Sequence, residues 1–303
     1  MDPAIALSGL LVGALVGLTG VGGGSLLTPL LILFFDVKPV TAVGTDLLYG
    51  AITKTAGGYK HYTQHTVDVR LSWWMAIGSV PAAILGVLTL EVLDRSLGAD
   101  FDDILLAAVA GAVLFAGLAV LARAAFAGKL AKGERDSVPM TRRHKVAAIS
   151  VGAFVGFVLG VTSVGSGALI GVALILAFRL APHRIVGTDV FHAAILLWAA
   201  AAAHLVSENV DLMLAANLLL GSIPGVWVGS HASARLPVAA LRAALATVLV
   251  ASGVALSAKA GWAPSLLSFA VCALPGVALA IVLTRRQSRS PTTTVRDPVS
   301  EQA

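Results

Sequence analysis

The chain has 303 residues, 57% of them hydrophobic and only 12% charged, with 21 Lys and Arg against 16 Asp and Glu. Mean hydropathy is +0.90, whereas a soluble protein holds roughly 25% charged residues and a core of this size could not hide so much apolar surface; an ordinary cytoplasmic enzyme, a disordered chain and a nucleic-acid binder are excluded. The single cysteine, Cys272, excludes a disulfide framework and a thiolate metal cluster.

The apolar runs are continuous rather than alternating, which predicts an all-α polytopic membrane protein and not a barrel. Met1-Asp2-Pro3 has no Lys or Arg ahead of the first run, and no small-residue cleavage site closes it, so a retained first membrane segment is predicted. Spans of about 20 apolar residues are expected at 40–60, 71–92, 103–126, 183–205, 211–232, 238–258 and 262–284. Two further apolar stretches, 4–35 and 146–180, are too long for one crossing. Each is cut by a glycine cluster: Gly20-Val21-Gly22-Gly23-Gly24-Ser25 and Ser163-Val164-Gly165-Ser166-Gly167.

Shifted by 143 residues, the chain matches itself without a gap. Gly9, Gly13 and Gly17 fall on Gly152, Gly156 and Gly160; Pro39 on Pro182; Val43-Gly44-Thr45-Asp46 on Val186-Gly187-Thr188-Asp189; Gly78-Ser79-Val80-Pro81 on Gly221-Ser222-Ile223-Pro224. Matched Pro, Thr-Asp and His residues at one fixed offset mark a duplication. The expected organisation is a first repeat at 1–126, a basic cytoplasmic loop at 127–145, a second repeat at 146–261, an extra helix at 262–284 and a disordered cytoplasmic tail at 285–303. If each glycine-broken stretch enters and returns on one side as a hairpin, every Lys and Arg except Lys38, Lys54, Arg95 and Lys259 falls on the side of the 127–145 loop. Basic loops are cytoplasmic. The N-terminus is then outside and the C-terminus inside. Two inverted repeats follow, each a broken hairpin followed by about three transmembrane helices, plus one extra C-terminal helix. Interrupted helices in inverted repeats are the architecture of secondary transporters.

Broken backbone at membrane depth survives where it lines a cavity, and the helix N-termini it exposes favour an anion. This makes Gly22, Gly23, Gly24, Ser25, Gly165, Ser166 and Gly167 candidates for substrate binding, with hydroxyls from Thr19, Thr162 and Ser163. The alternative is that the clusters are tight turns. Gly9, Gly13, Gly17 and their mates read as packing glycines, since four-residue spacing lets helices approach. Asp46 and Asp189, each preceded by Thr45 or Thr188, sit just inside spans, where a charge costs about 2.5–3.5 kcal/mol and usually serves a site. Each caps structure beside a break, or one carries a proton during transport. Lys54, eight residues after Asp46, either neutralises an anion or snorkels; its mate is Leu197. Tyr49 and His192 occupy matched positions facing the expected cavity. His61 and His204 read as interfacial, as do Trp73, Trp74 and Trp262.

The glycine cluster at 20–25, the Pro39 to Asp46 stretch with its copy at 182–189, and Gly78-Ser79-Val80-Pro81 resemble the TauE/SafE sulfite exporter family over about residues 5–284. The resemblance implies a bacterial inner-membrane permease for a small sulfur-containing or organic anion. The expected function is therefore a secondary transporter for a sulfite-like oxyanion or organosulfonate, with proton coupling as one mode. An anion channel is the nearest alternative, and an intramembrane aspartyl protease a distant one. No catalytic residue, metal or cofactor is expected. The partners are the anion and the lipid bilayer, with no nucleic acid.

Overall fold

A computed structural model describes residues 3–19, 24–130, 135–233 and 238–261. Within them the chain forms ten α-helices: α1 (Pro3–Thr19), α2 (Gly24–Phe34), α3 (Pro39–Thr63), α4 (Val69–Leu97), α5 (Phe101–Leu130), α6 (Arg142–Thr162), α7 (Leu169–Leu176), α8 (Pro182–Val206), α9 (Leu212–Ser233) and α10 (Val238–Lys259). Four stretches, 69–121, 142–162, 182–206 and 212–232, are long and apolar enough to cross a membrane. The expected span at 262–284, the tail at 285–303 and residues 20–23 lie outside the described residues.

The helix starts follow from local chemistry. α3 and α8 each open on proline (Pro39, Pro182), whose fixed φ suits a first helical position and whose missing N–H would have no partner there. α4 opens on Asp68, whose carboxylate accepts the Leu71 N–H. Asp211 does the same for Leu214 at the head of α9. The turns ahead of α3, α4, α8 and α9 hold Asp36, His65, Arg179 and Glu208, all with positive φ between 49° and 57°. Asp36 and Arg179 are mates at the 143-residue offset, as are His65 and Glu208.

Packing joins the two halves. α1 lies against α9 and α6 against α4, while α3 packs on α8 and α5 on α10. Gly9, Gly13 and Gly17 press in order on the carbonyls of Leu218, Ser222 and Val226, so α1 and α9 run parallel. Gly152, Gly156 and Gly160 press on Met75, Ser79 and Ala83, so α6 and α4 run parallel too. A Cβ at any of these six glycines would collide with backbone. The four-residue glycine spacing thus makes close helix contacts, as expected. By contrast α3 and α8 run antiparallel: Gly44 meets Asn209, Gly50 meets Leu197 and Gly57 meets Val190. α5 and α10 are also antiparallel, Gly117 lying on Val250 and Gly253 on Leu114.

The loops gather by charge. On one face Arg135 forms a parallel bridge with Leu180, the Val138 N–H donates to Asp68, and Arg184 donates to the Val67 carbonyl. On another, Lys38, Glu91, Asp94, Arg95 and residues 206–209 surround an open cavity of about 590 Å³. Lys259 closes the end of α10 on the Asp36 carboxylate at 2.6 Å and the Ile32 carbonyl at 2.9 Å.

Candidate functional site

The second glycine break is fully placed. α6 stops at Thr162. Ser163 takes a left-handed conformation (φ 59°), and the backbone passes through Gly165 (φ 147°) and Gly167 (φ 98°) before α7 begins. A side chain at either glycine position would be strained. Thr162 Oγ1 donates to the Val158 carbonyl and accepts the Val164 N–H, so this hydroxyl serves the break's own backbone. Ser166 is buried beside it. Of the first break, Gly22 and Gly23 lie outside the described residues; Thr19 ends α1 and Gly24 opens α2.

The two breaks meet. A Cβ on Gly24 would come within 2.9 Å of the Ser163 carbonyl and 3.6 Å of an Asp46 oxygen. Asp46, fully buried, accepts hydrogen bonds on Oδ2 from Thr28 of α2 (2.5 Å) and from Ser163 of the second break (3.0 Å). The first half's acid therefore holds the second half's turn. Asp189 accepts the Gly167 N–H at 3.1 Å through Oδ1, and its Oδ2 lies 3.9 Å from Lys54 Nζ. Both acids sit two turns inside their helices, so neither caps its own helix; each braces a break instead.

Around them lies a second matched set. Tyr49 of α3 hydrogen-bonds Ser222 of α9, and His192 of α8 contacts Ser79 of α4 at 3.3 Å. Tyr49 and His192 are repeat mates, as are Ser222 and Ser79. The two serines carry no role in the sequence expectation, although their Gly-Ser-x-Pro motif recurs at the fixed offset. Thr28 carries none either, and nothing at the repeat position, Gly171, points to it.

Thr45 and Thr188 sit apart from this cluster. Their hydroxyls accept the N–H groups of Asp211 and Asp68, fastening each half's helix start to the other half's Thr-Asp pair. His204, expected at an interface, is buried, with Nε2 on the Gly160 carbonyl at 3.0 Å. The helix ends within a residue of the expected span, and α6 covers its last turn.

Among the described residues, four buried side-chain atoms in the cluster have no hydrogen-bond partner: Ser25 Oγ, Asp46 Oδ1, Lys54 Nζ and His192 Nδ1. Buried polar groups are almost always satisfied, and an unpaired charge is the most costly kind. Among the described residues, no group of three or more His, Cys, Asp or Glu side chains could hold a metal ion.

A bundle of membrane-length helices, broken twice, with a buried charged centre between the breaks and an open cavity at one face, defines a membrane transporter. The family model for the sulfite exporter TauE/SafE matches residues 5–256, and the chain belongs to that family. It is 41% identical over 256 residues to "Probable membrane transporter protein YjnA" of Bacillus subtilis (strain 168), covering 84% of this chain and 100% of that protein. "Probable membrane transporter protein YunE" of the same organism is 26% identical over 76% of this chain and 86% of its own length. A "Probable membrane transporter protein" of Xylella fastidiosa (strain 9a5c) is 29% identical over 75% of this chain and 83% of its own length. No solved structure matches.

Proposed function

We propose that the protein is a secondary carrier of a small sulfur-containing oxyanion or organosulfonate in the bacterial inner membrane, built from inverted repeats and binding its substrate between the two glycine breaks. The antiparallel run of the mates α3 and α8, and of α5 and α10, supports the inversion. The N-terminus outside and C-terminus inside follow from the basic loops.

One observation carries the anion reading. Lys54 Nζ is buried, lacks any hydrogen-bond acceptor, and stands 3.9 Å from its nearest carboxylate oxygen. Lys54 is paired with Asp189 but donates no hydrogen bond, so its ammonium can also take an anionic oxygen, and Ser25 Oγ at the start of α2 is a further buried polar atom without a partner. Charge-assisted donors are worth about 1.5–3 kcal/mol each, so a few suffice for micromolar to millimolar binding. An aspartyl protease would need two carboxylates sharing one site. Asp46 and Asp189 instead have different partners, which favours a carrier over an enzyme.

The test is uptake of sulfite and of methanesulfonate by the purified protein in liposomes. A carrier gives saturable uptake and accumulates the anion when a driving gradient is imposed. Flux that stays linear in concentration and never exceeds equilibrium would assign a channel. Lys54→Gln is expected to weaken binding more for doubly than for singly charged anions, because one Coulomb partner is removed.

A further inference from the structure

The two halves place their acids in unequal electrostatic settings. Asp189 is paired with Lys54 across the α3–α8 contact. At the matching position of α8 stands Leu197, which packs on Gly50. Among the described residues, Asp46 thus has hydroxyl donors on one oxygen, nothing on the other, and no cation.

The ionisable groups around Asp46 bear this out. On α3 itself they are Tyr49, engaged with Ser222, and Lys54, engaged with Asp189. α8 presents Asp189, His192 against Ser79, and His204, which lies beside Gly44 with Nε2 on the Gly160 carbonyl, while Asp211 at the head of α9 accepts the Leu214 N–H. α2 has no ionisable residue. α9 has only His231, bonded to the Trp227 carbonyl at an exposed position. α5 has Asp102 and Asp103 in its first turn, and no ionisable residue between Ile104 and Leu121. The second break has no ionisable side chain; its Ser163 hydroxyl donates to Asp46.

We propose that Asp46, and not its repeat mate Asp189, carries the proton that accompanies the anion. The idea rests on the carrier reading above. In each cycle a proton from water on one side forms an O–H bond at Asp46 Oδ1. That bond breaks to water on the other side after the anion has left, and no oxidant or reductant takes part. Asp189 keeps Lys54 oriented and the second break closed through Gly167, and its charge stays constant. Because Asp46 also receives the Ser163 hydroxyl, its protonation state is felt directly by the break that closes over the substrate.

Two measurements on the full-length protein test this. The first is transport of methanesulfonate, whose charge does not change with pH. Net uptake driven by a pH gradient is compared with exchange at equal pH. Asp46→Asn should lose at least tenfold of the stimulation by the gradient relative to its own exchange rate, and Asp46→Glu should recover part of it. Asp189→Asn should lower both fluxes together. Leu197→Lys, which supplies Asp46 with the cation its mate already has, should also abolish the stimulation. Loss of stimulation in Asp189→Asn with Asp46→Asn still stimulated would overturn the assignment. The second measurement needs no substrate. The infrared C=O band of a protonated buried carboxylic acid should be present in the wild type and in Asp189→Asn, and absent in Asp46→Asn. If the band survives Asp46→Asn, the assignment is wrong even if transport follows the carrier pattern. If the band follows the assignment but neither sulfite nor methanesulfonate is carried, the substrate reading fails and the proton site stands.

Discussion

Asp46 and Asp189 occupy matched positions at the 143-residue offset, and their surroundings differ. Asp46 reaches across to hold the opposite half's break through Ser163 and has no cation. Asp189 stays within its own half, binding the Gly167 N–H, and borrows a lysine from the other half. The scaffold around them remains matched: proline starts, left-handed turns, cap acids, and the Tyr49–Ser222 and His192–Ser79 contacts all come in pairs. Duplication supplies the frame twice, and the exchange of Lys54 for Leu197 makes the two acids chemically different.

That contrast can be broken most severely at Lys54. Lys54→Leu would make the halves symmetric at this position and strand Asp189 as a buried charge. Breaking such a pair costs about 3–5 kcal/mol. We expect a large fall in thermal stability in detergent, largely recovered in the double variant Lys54→Leu/Asp189→Asn. Equal stability of the single and double variants would show that the pair carries little.

The helix contacts should show symmetry rather than contrast. Gly13→Ala and Gly156→Ala each push a methyl into the backbone at a serine, Ser222 and Ser79 respectively. Overpacking of this kind costs about 1–3 kcal/mol, and the two losses should be similar. Gly111→Ala, with nothing within 4 Å of the new carbon, should instead gain helix stability. Melting temperatures of the three variants decide the matter.

The cap acids offer a finer comparison. Asp211→Ala removes one cap bond, at a cost of about 0.5–2 kcal/mol. Asp68→Ala removes the same bond and also strands the Val138 N–H of the 127–145 connection. It should therefore be the more damaging, and limited proteolysis should cut that connection faster in Asp68→Ala than in Asp211→Ala.

The smallest effect belongs to Asp36, which has no acidic counterpart in the second half, where Arg179 stands. The hydrogen bond and charge of Lys259 hold the Asp36 carboxyl below its ordinary value. Its contribution is present above the unfolded-state value near 3.9 and fades as pH falls through the lower folded value. Below about pH 4 the wild type should lose a small increment that Lys259→Met never had, so their melting curves should converge there.

Much of this was legible in the sequence. The Thr-Asp pairs and the glycine ladders emerged from one offset, and the span positions of α3 to α5 and α8 to α10 from the continuous apolar runs. The identity of the helix partners did not, since a small-residue stripe announces close approach without naming what approaches. Thr28 was invisible because its mate is Gly171, which has no hydroxyl to repeat. Thr45 and Thr188 adjoin the buried acids in sequence, yet their hydroxyls bond elsewhere. One residue further along a helix turns a side chain by roughly 100°, and that carries both hydroxyls to the starts of α9 and α4. His204 reads as interfacial from its place near the end of a span, and only the packing of α6 shows it buried.

The crossed pairing of α1 with α9 and of α4 with α6 also has a meaning in time. A ribosome adds about 5–20 residues per second. Once α1 has been made, its glycine-bearing face therefore waits roughly 10–40 s for residues 212–233 to emerge. α4 waits only a third as long for α6. During that interval the first helix to enter the bilayer has lipid, or an attending insertion factor, where its permanent neighbour will be. Synthesis order thus gives α1 the longest wait of the four pairings, and ties its final position to the making of α9 in the opposite half.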